Sequence, residues 1–246
     1  MRRILLAVGQ AATTLQTARQ IRPWLRERDT SLTLMAVVDS SPLSPLSETK
    51  RTLEQVEAIF TDAAEKPGII VRVAKEPAAE ICRETSHNQY DLVAIGLRDR
   101  SQNQASIGST CRQILNNCTV PLFIIPPTLH QGITPQILIV MDGESPAQPI
   151  ADWMIAQCQA QKLNAILYAA SLEQSAYLTG QMAKRQIRAQ TVIHSGLSAD
   201  NILALSQDRR VRWIVVPADV DRRNPSPIPL VHELLAKSSC PVLIQP

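Results

Sequence analysis

Aromatic residues are scarce in this chain of 246 residues: three Trp, three Tyr and two Phe, 3% of the total. A surface that stacks bases needs several exposed rings, so single-stranded nucleic acid is not an expected partner. Charge of one sign is lacking too. Twenty-five Lys and Arg stand against 22 Asp and Glu, a formal net charge of +3. Basic residues gather in nothing longer than pairs such as Arg2-Arg3, Arg209-Arg210 and Arg222-Arg223, which is too little for a polyanion footprint. No apolar run approaches the roughly 18 residues a membrane span needs. The short run Ile4 to Val8 behind Arg2-Arg3 is too brief for a signal-peptide core, and the polar segment Thr13 to Gln20 follows at once, so a first β-strand is expected there. The five cysteines (Cys82, Cys111, Cys118, Cys158, Cys240) form no CxxC, and His87, His130, His194 and His232 lie far apart. Neither pattern suits a metal; reduced thiols in a cytoplasmic protein are expected. Also missing are a G-x-S-x-G nucleophile elbow and a G-x4-G-K-[ST] phosphate loop, so the chain is expected not to be an enzyme.

What is present is an ordinary apolar fraction, 45%, with 19% charged residues, as in a globular protein. The apolar residues fall into short continuous runs: Ile4 to Val8, Leu32 to Val38, Ile69 to Val73, Leu92 to Leu97 and Leu122 to Ile125. Such runs predict strands buried on both faces. Between them the period changes. Leu15, Ala18, Ile21, Trp24 and Leu25 recur at helical spacing, as do Leu53, Val56, Ile59 and Phe60 ahead of Pro67-Gly68. Pro77 and Ser109 each stand where a further helix can begin. The order is therefore βαβαβαβαβ, which implies a parallel sheet with helices on both faces.

The pattern then repeats. Strands are expected at Ile137 to Met141, Ala165 to Ala169, Ala189 to Ile193, Trp213 to Val216 and Val242 to Ile244. Helices are expected near Ala147 to Gln161, Leu172 to Gln186, Ala199 to Gln207 and Pro229 to Ser238. Val120-Pro121-Leu122-Phe123-Ile124-Ile125-Pro126 is echoed by Cys240-Pro241-Val242-Leu243-Ile244-Gln245-Pro246, and Arg3 to Val8 by Gln136 to Met141. A repeat this long is a duplicated domain rather than a solenoid. The stretch from Pro126 to Pro135 lacks periodicity and reads as a linker, so the domains are placed at residues 1–129 and 130–246. The fold class expected is α/β, two tandem doubly wound (Rossmann-like or flavodoxin-like) domains, each with five parallel strands. Asp39 to Ser47, with Pro42 and Pro45, reads as a surface excursion absent from the second copy. In this winding the fifth strand lies at an edge, and Leu122 to Ile125 and Val242 to Ile244 are too apolar to leave bare. An intramolecular pseudo-dimer pairing those strands is expected.

The fourth strand ends Ile95-Gly96-Leu97-Arg98-Asp99, a polar loop follows, and Gly108-Ser109-Thr110 opens a helix that leads to Val120-Pro121. This resembles the universal stress protein family, with its G-x2-G-x9-G-[ST] motif and Pro-led final strand; the resemblance runs through essentially the whole chain, twice. It implies a non-enzymatic stress-response or regulatory module. It further implies a site for ATP or another adenine nucleotide, with or without Mg, in the first domain. Carried onto this sequence, the nucleotide-binding positions are Ala7, Val8, Gly9, Val37, Ile95, Gly96, Arg98, Gly108, Ser109, Thr110 and Cys111. Physical chemistry gives such a motif its sense: glycines let backbone approach phosphate, and a helix N-terminus offers free N–H groups to an anion. Ligands of doubly wound sheets sit beyond the C-terminal strand ends, where the strand order reverses.

The sequence departs from the family pattern. Gly9 replaces the Asp of the first loop, Asp99 replaces the second motif glycine, and the loop to Gly108 is one residue short. The signatures of related nucleotide enzymes are absent from Gly9-Gln10-Ala11-Ala12. In the second domain Asp142-Gly143 survives, but Ala218 to Pro229 is rich in proline, which has no N–H to offer. No nucleotide is expected there. Without ancestry, Ser109 or Thr110 reads as a helix cap, and Arg98 as a solvated charge. The alternative function is a nucleotide-free interaction module regulating a protein partner such as a membrane transporter.

Overall fold

The computed structural model describes residues 2–26, 29–39, 46–98, 107–141, 148–217 and 229–245. The chain divides into two compact units, Met1–Pro127 and Thr128–Pro246.

In the first unit the strands are β1 (Arg2–Val8), β2 (Thr30–Val38), β3 (Gly68–Val73), β4 (Leu92–Gly96) and β5 (Leu122–Ile125). They pair in parallel in the order β3-β2-β1-β4-β5. The helices between them are α1 (Ala11–Ile21), α2 (Leu46–Glu57), α3 (Pro77–His87) and α4 (Ser109–Asn117). The sheet centre is fully apolar: Leu5, Leu6, Val93, Ala94, Ile124 and Phe123 have at most 1% of their surface exposed. Phe123 meets Trp24 at a centroid distance of 4.7 Å, a tilted aromatic pair that adds packing to the area it buries.

The second unit holds β6 (Gln136–Val140), β7 (Asn164–Ala169), β8 (Ala189–Ile193), β9 (Trp213–Pro217) and β10 (Val242–Gln245). Their order, β10-β9-β6-β7-β8, is the same winding. Its helices are α5 (Gln148–Gln161), α6 (Leu172–Lys184), α7 (Ala199–Asp208) and α8 (Leu230–Lys237). Ser171 and Ser198 cap α6 and α7, accepting from the N–H groups of Gln174 and Asn201 at 3.2 Å each. The linker is irregular but anchored within this unit. His130 donates its N–H to the Ser239 carbonyl at 2.8 Å, and Thr134 its hydroxyl to the Arg209 carbonyl at 2.8 Å.

Three expectations need correction. One of the apolar runs, Ile69 to Val73, is not buried on both faces, and neither is the matching strand of the second unit, Ala189 to Ile193. β3 and β8 end their units' strand series opposite β5 and β10, and Ile69, Val71, Val73 and Ile193 are 47 to 66% exposed. An apolar run therefore marked a strand but not its place in the sheet. The helix drawn through Leu25 stops at Ile21 and tightens into a 3-10 turn over Arg22–Arg26, which contains Pro23. Its buried face is Thr14, Thr17, Ala18 and Ile21, while Leu15 is only half-buried. Finally, α2 begins at Leu46, inside the stretch read as a loop; residues 40–45 lie outside the described residues.

Candidate functional site

The strand order reverses between β1 and β4: the chain leaves β1 to build one side of the sheet and returns to β4 on the other. Ligand crevices form at such a reversal, beyond the C-terminal strand ends. The registers gather five of the candidate residues there. Leu6 pairs with Ala94, which sets Ala7 level with Ile95 and Val8 level with Gly96. Val8 pairs with Ala36, so Val37 stands one step beyond the end of β1. Ala7, Val8 and Val37 are half-buried and Ile95 is 8% exposed, an apolar floor with little polar character.

Gly96 and Gly9 also serve the packing of α1. A Cβ on Gly96 would lie 2.8 Å from Thr17 Oγ1, 2.9 Å from Thr13 Cβ and 2.9 Å from the Thr13 carbonyl oxygen. Gly96 is therefore the point where α1 rests on the end of β4, and its missing side chain serves helix packing first. Gly9 has open space where a Cβ would stand. Its N–H donates to Thr14 Oγ1 at 3.0 Å, so that donor is turned back into α1. Thr13, Thr14 and Thr17 were not among the candidates. Their signal in the sequence is a set of hydroxyls on a helix's inner face, where an apolar stripe is the rule.

On the other side of the crevice, Gly108 is the N-cap of α4, with φ −61° and ψ 155°. No side chain caps this helix start, unlike those of α6 and α7. The reading of Ser109 or Thr110 as the cap is thus incorrect: Ser109 is exposed, Thr110 half-buried, and the first helical bond runs from the Arg112 N–H to the Gly108 carbonyl at 3.0 Å. Its φ is negative, so the backbone at Gly108 is one that any residue adopts. Cys111 turns inward; burial pushes its thiol up to about 12, which keeps it protonated and makes it wall rather than nucleophile. Arg98 is exposed, two residues past β4. Asp99 and the loop to residue 106 lie outside the described residues, as do the second unit's Asp142-Gly143 and the segment 218–228. Among the described residues no group of three or more His, Cys, Asp or Glu could hold a metal ion, and no helix is long and apolar enough to cross a membrane.

The fold is that of a tandem, doubly wound α/β protein, with the start of α4 following β4 in its first unit. Residues 1–126 match the Universal stress protein family, and the chain belongs to that family. No curated protein matches it in sequence. Among solved structures, a universal stress protein of Archaeoglobus fulgidus DSM 4304 is similar over 99% of this chain and 95% of its own, with TM-score 0.75 and 14% identity. A functionally unknown protein of Pseudomonas aeruginosa PAO1 is similar over 100% of this chain and 92% of its own, with TM-score 0.64 and 14% identity. A universal stress protein in complex with cAMP aligns with 50% of this chain and 96% of its own, with TM-score 0.41 and 9% identity. At such identities the likeness is one of fold.

Proposed function

We propose that the protein is a non-enzymatic stress-response module whose first unit binds an adenine nucleotide at the C-terminal ends of β1 and β4. The observation that carries this reading is the uncapped start of α4, where Gly108, exposed Ser109 and half-buried Thr110 stand beside the reversal in strand order. Helix N-termini carry unsatisfied N–H groups and the positive end of the dipole, so a phosphate fits where no side chain caps them. The hydroxyls of Ser109 and Thr110 and the guanidinium of Arg98 add donors. Ala7, Val8, Val37 and Ile95 supply an apolar surface for a base.

A second reading, a nucleotide-free module that regulates a protein partner, is favoured by Gly96 and Gly9, whose close approach and N–H are used by α1 rather than left for a ligand. Calorimetric titration of the full chain with ATP, with and without magnesium, separates the two. Binding that Gly108→Val abolishes supports the nucleotide reading. Absence of binding at millimolar ATP rejects it in favour of the interaction module.

A further inference from the structure

Three of the five cysteines are packed away: Cys111, Cys158 and Cys240 are 5%, 1% and 1% exposed. The other two, Cys82 and Cys118, are half-buried and reach solvent. They lie 36 residues apart in sequence but share one spot between α3 and the end of α4. Cys82 sits in the middle of α3, and Cys118 is the residue that closes α4, donating its N–H to the Ile114 carbonyl at 2.8 Å. Thr85 joins them. Its hydroxyl donates to the Cys82 carbonyl at 2.9 Å and lies 3.6 Å from Cys118 Sγ. With the Thr85 proton used on the carbonyl, the oxygen is left to accept from the Cys118 thiol. Thr85 thus ties the Cys118 sulfur to the turn of α3 that carries Cys82, and the two thiols are close enough to influence each other. Nothing in the crevice at the other end of the strands makes use of this pair.

We propose that Cys82 and Cys118 form an intramolecular disulfide when the protein meets a peroxide, tying α3 to the C-terminal end of α4 in the first unit. Two S–H bonds and the peroxide O–O bond break, the Sγ–Sγ bond forms, the sulfurs lose two electrons, and the peroxide leaves as two waters. The pairing is selective by placement. Cys111 is two turns away from Cys118 on the same helix, roughly 10 Å along its axis, beyond the separation a disulfide spans. Cys158 and Cys240 are sealed in the second unit's core. Burial and the neighbouring Cys118 hold the Cys82 thiol up at about 11. The thiolate is the attacking species, so cross-linking is slow at neutral pH and accelerates as pH rises toward that value. This device is independent of the nucleotide reading, since it needs neither ligand nor crevice.

The test uses the reduced full chain, treated with hydrogen peroxide under native conditions, blocked with N-ethylmaleimide and digested without reductant for mass spectrometry. The expected product is a chain lighter by two hydrogens with one cross-linked peptide pair, containing Cys82 and Cys118. In that product the other three cysteines are blocked only after unfolding. Cys82→Ser and Cys118→Ser, which keep the size of each side chain, should each abolish the cross-link while the circular dichroism spectrum is unchanged. Oxidation of either thiol in the wild type to sulfinic acid without a cross-link overturns the proposal. So does a bond to any other cysteine or between two chains.

Discussion

Helix α1 of the first unit turns Thr14, Thr17, Ala18 and Ile21 inward; helix α5 of the second turns Ala151, Met154, Ile155 and Cys158 inward, at the same spacing. The strands tell a matching story. By register Gly96 of β4 corresponds to Pro217 of β9, each the last of four positions paired to the fifth strand of its unit. Thus the first unit places small and hydroxyl-bearing residues where helix meets strand end, and the second places bulkier, apolar ones. Identical winding leaves the contents of the crevice wall free to diverge, because the order of strands is fixed by chain connectivity and the wall by a few side chains. The starts of the helices differ in part: α6 and α7 have serine caps, α3 and α4 have none, and α8, the counterpart of α4, has none either.

The largest expected effect tests the core rather than the crevice. Phe123 corresponds to Leu243 in the second unit, and both are at most 1% exposed. Phe123→Ala should cost about 3–5 kcal/mol and Leu243→Ala about 2–5 kcal/mol in denaturant unfolding. Phe123→Ala should also change the Trp24 fluorescence, because Phe123 packs against that ring. An unchanged spectrum for Phe123→Ala would break the pairing of those two rings.

Next comes the glycine pair at the crevice. Gly96→Ala forces a methyl against the Thr13 carbonyl and should cost about 1–3 kcal/mol, a cost of overpacking. Gly9→Ala meets nothing within 4 Å and should stay within about 0.5 kcal/mol. Thr17→Ala should return part of the Gly96→Ala loss, since one of the close atoms is the Thr17 hydroxyl. A neutral Gly96→Ala would mean that α1 does not bear on β4.

The serines at helix starts sharpen the same contrast. Ser171→Ala and Ser198→Ala should each lower stability by about 1 kcal/mol, as loss of a cap does. Ser109→Ala should leave stability within about 0.5 kcal/mol, as an exposed position without a capping bond, and weaken ATP binding if the proposed function holds. The smallest effect is expected at β3. Val71→Lys, at a residue 47% exposed, should change unfolding by less than about 0.5 kcal/mol while delaying aggregation on warming, read by light scattering.

Much of this architecture was legible beforehand. Sequence patterning located the ten strands among the described residues, and the echo of Val120 to Pro126 in Cys240 to Pro246 exposed the duplication. Where the reading slipped, long-range context was the cause. Nothing local distinguishes Ile69 to Val73, at a sheet edge, from Leu92 to Gly96, in its middle; only the neighbours do. Likewise Leu15 fits a helical stripe as well as Thr14 does until β4 arrives and selects Thr14 and Thr17 for the inner face. The motif glycines are visible in the sequence, but that α1 rests on Gly96 is visible only in the structure.

Sequence alone determined the winding, the doubling and the strand positions, because periodicity and chain connectivity are local or pairwise properties that composition cannot hide. Tertiary structure alone decided which glycine carries packing, which serine caps, and which two of five thiols are neighbours. Those depend on atoms far apart in the chain meeting within a few ångströms, and no spacing along the chain encodes such a meeting.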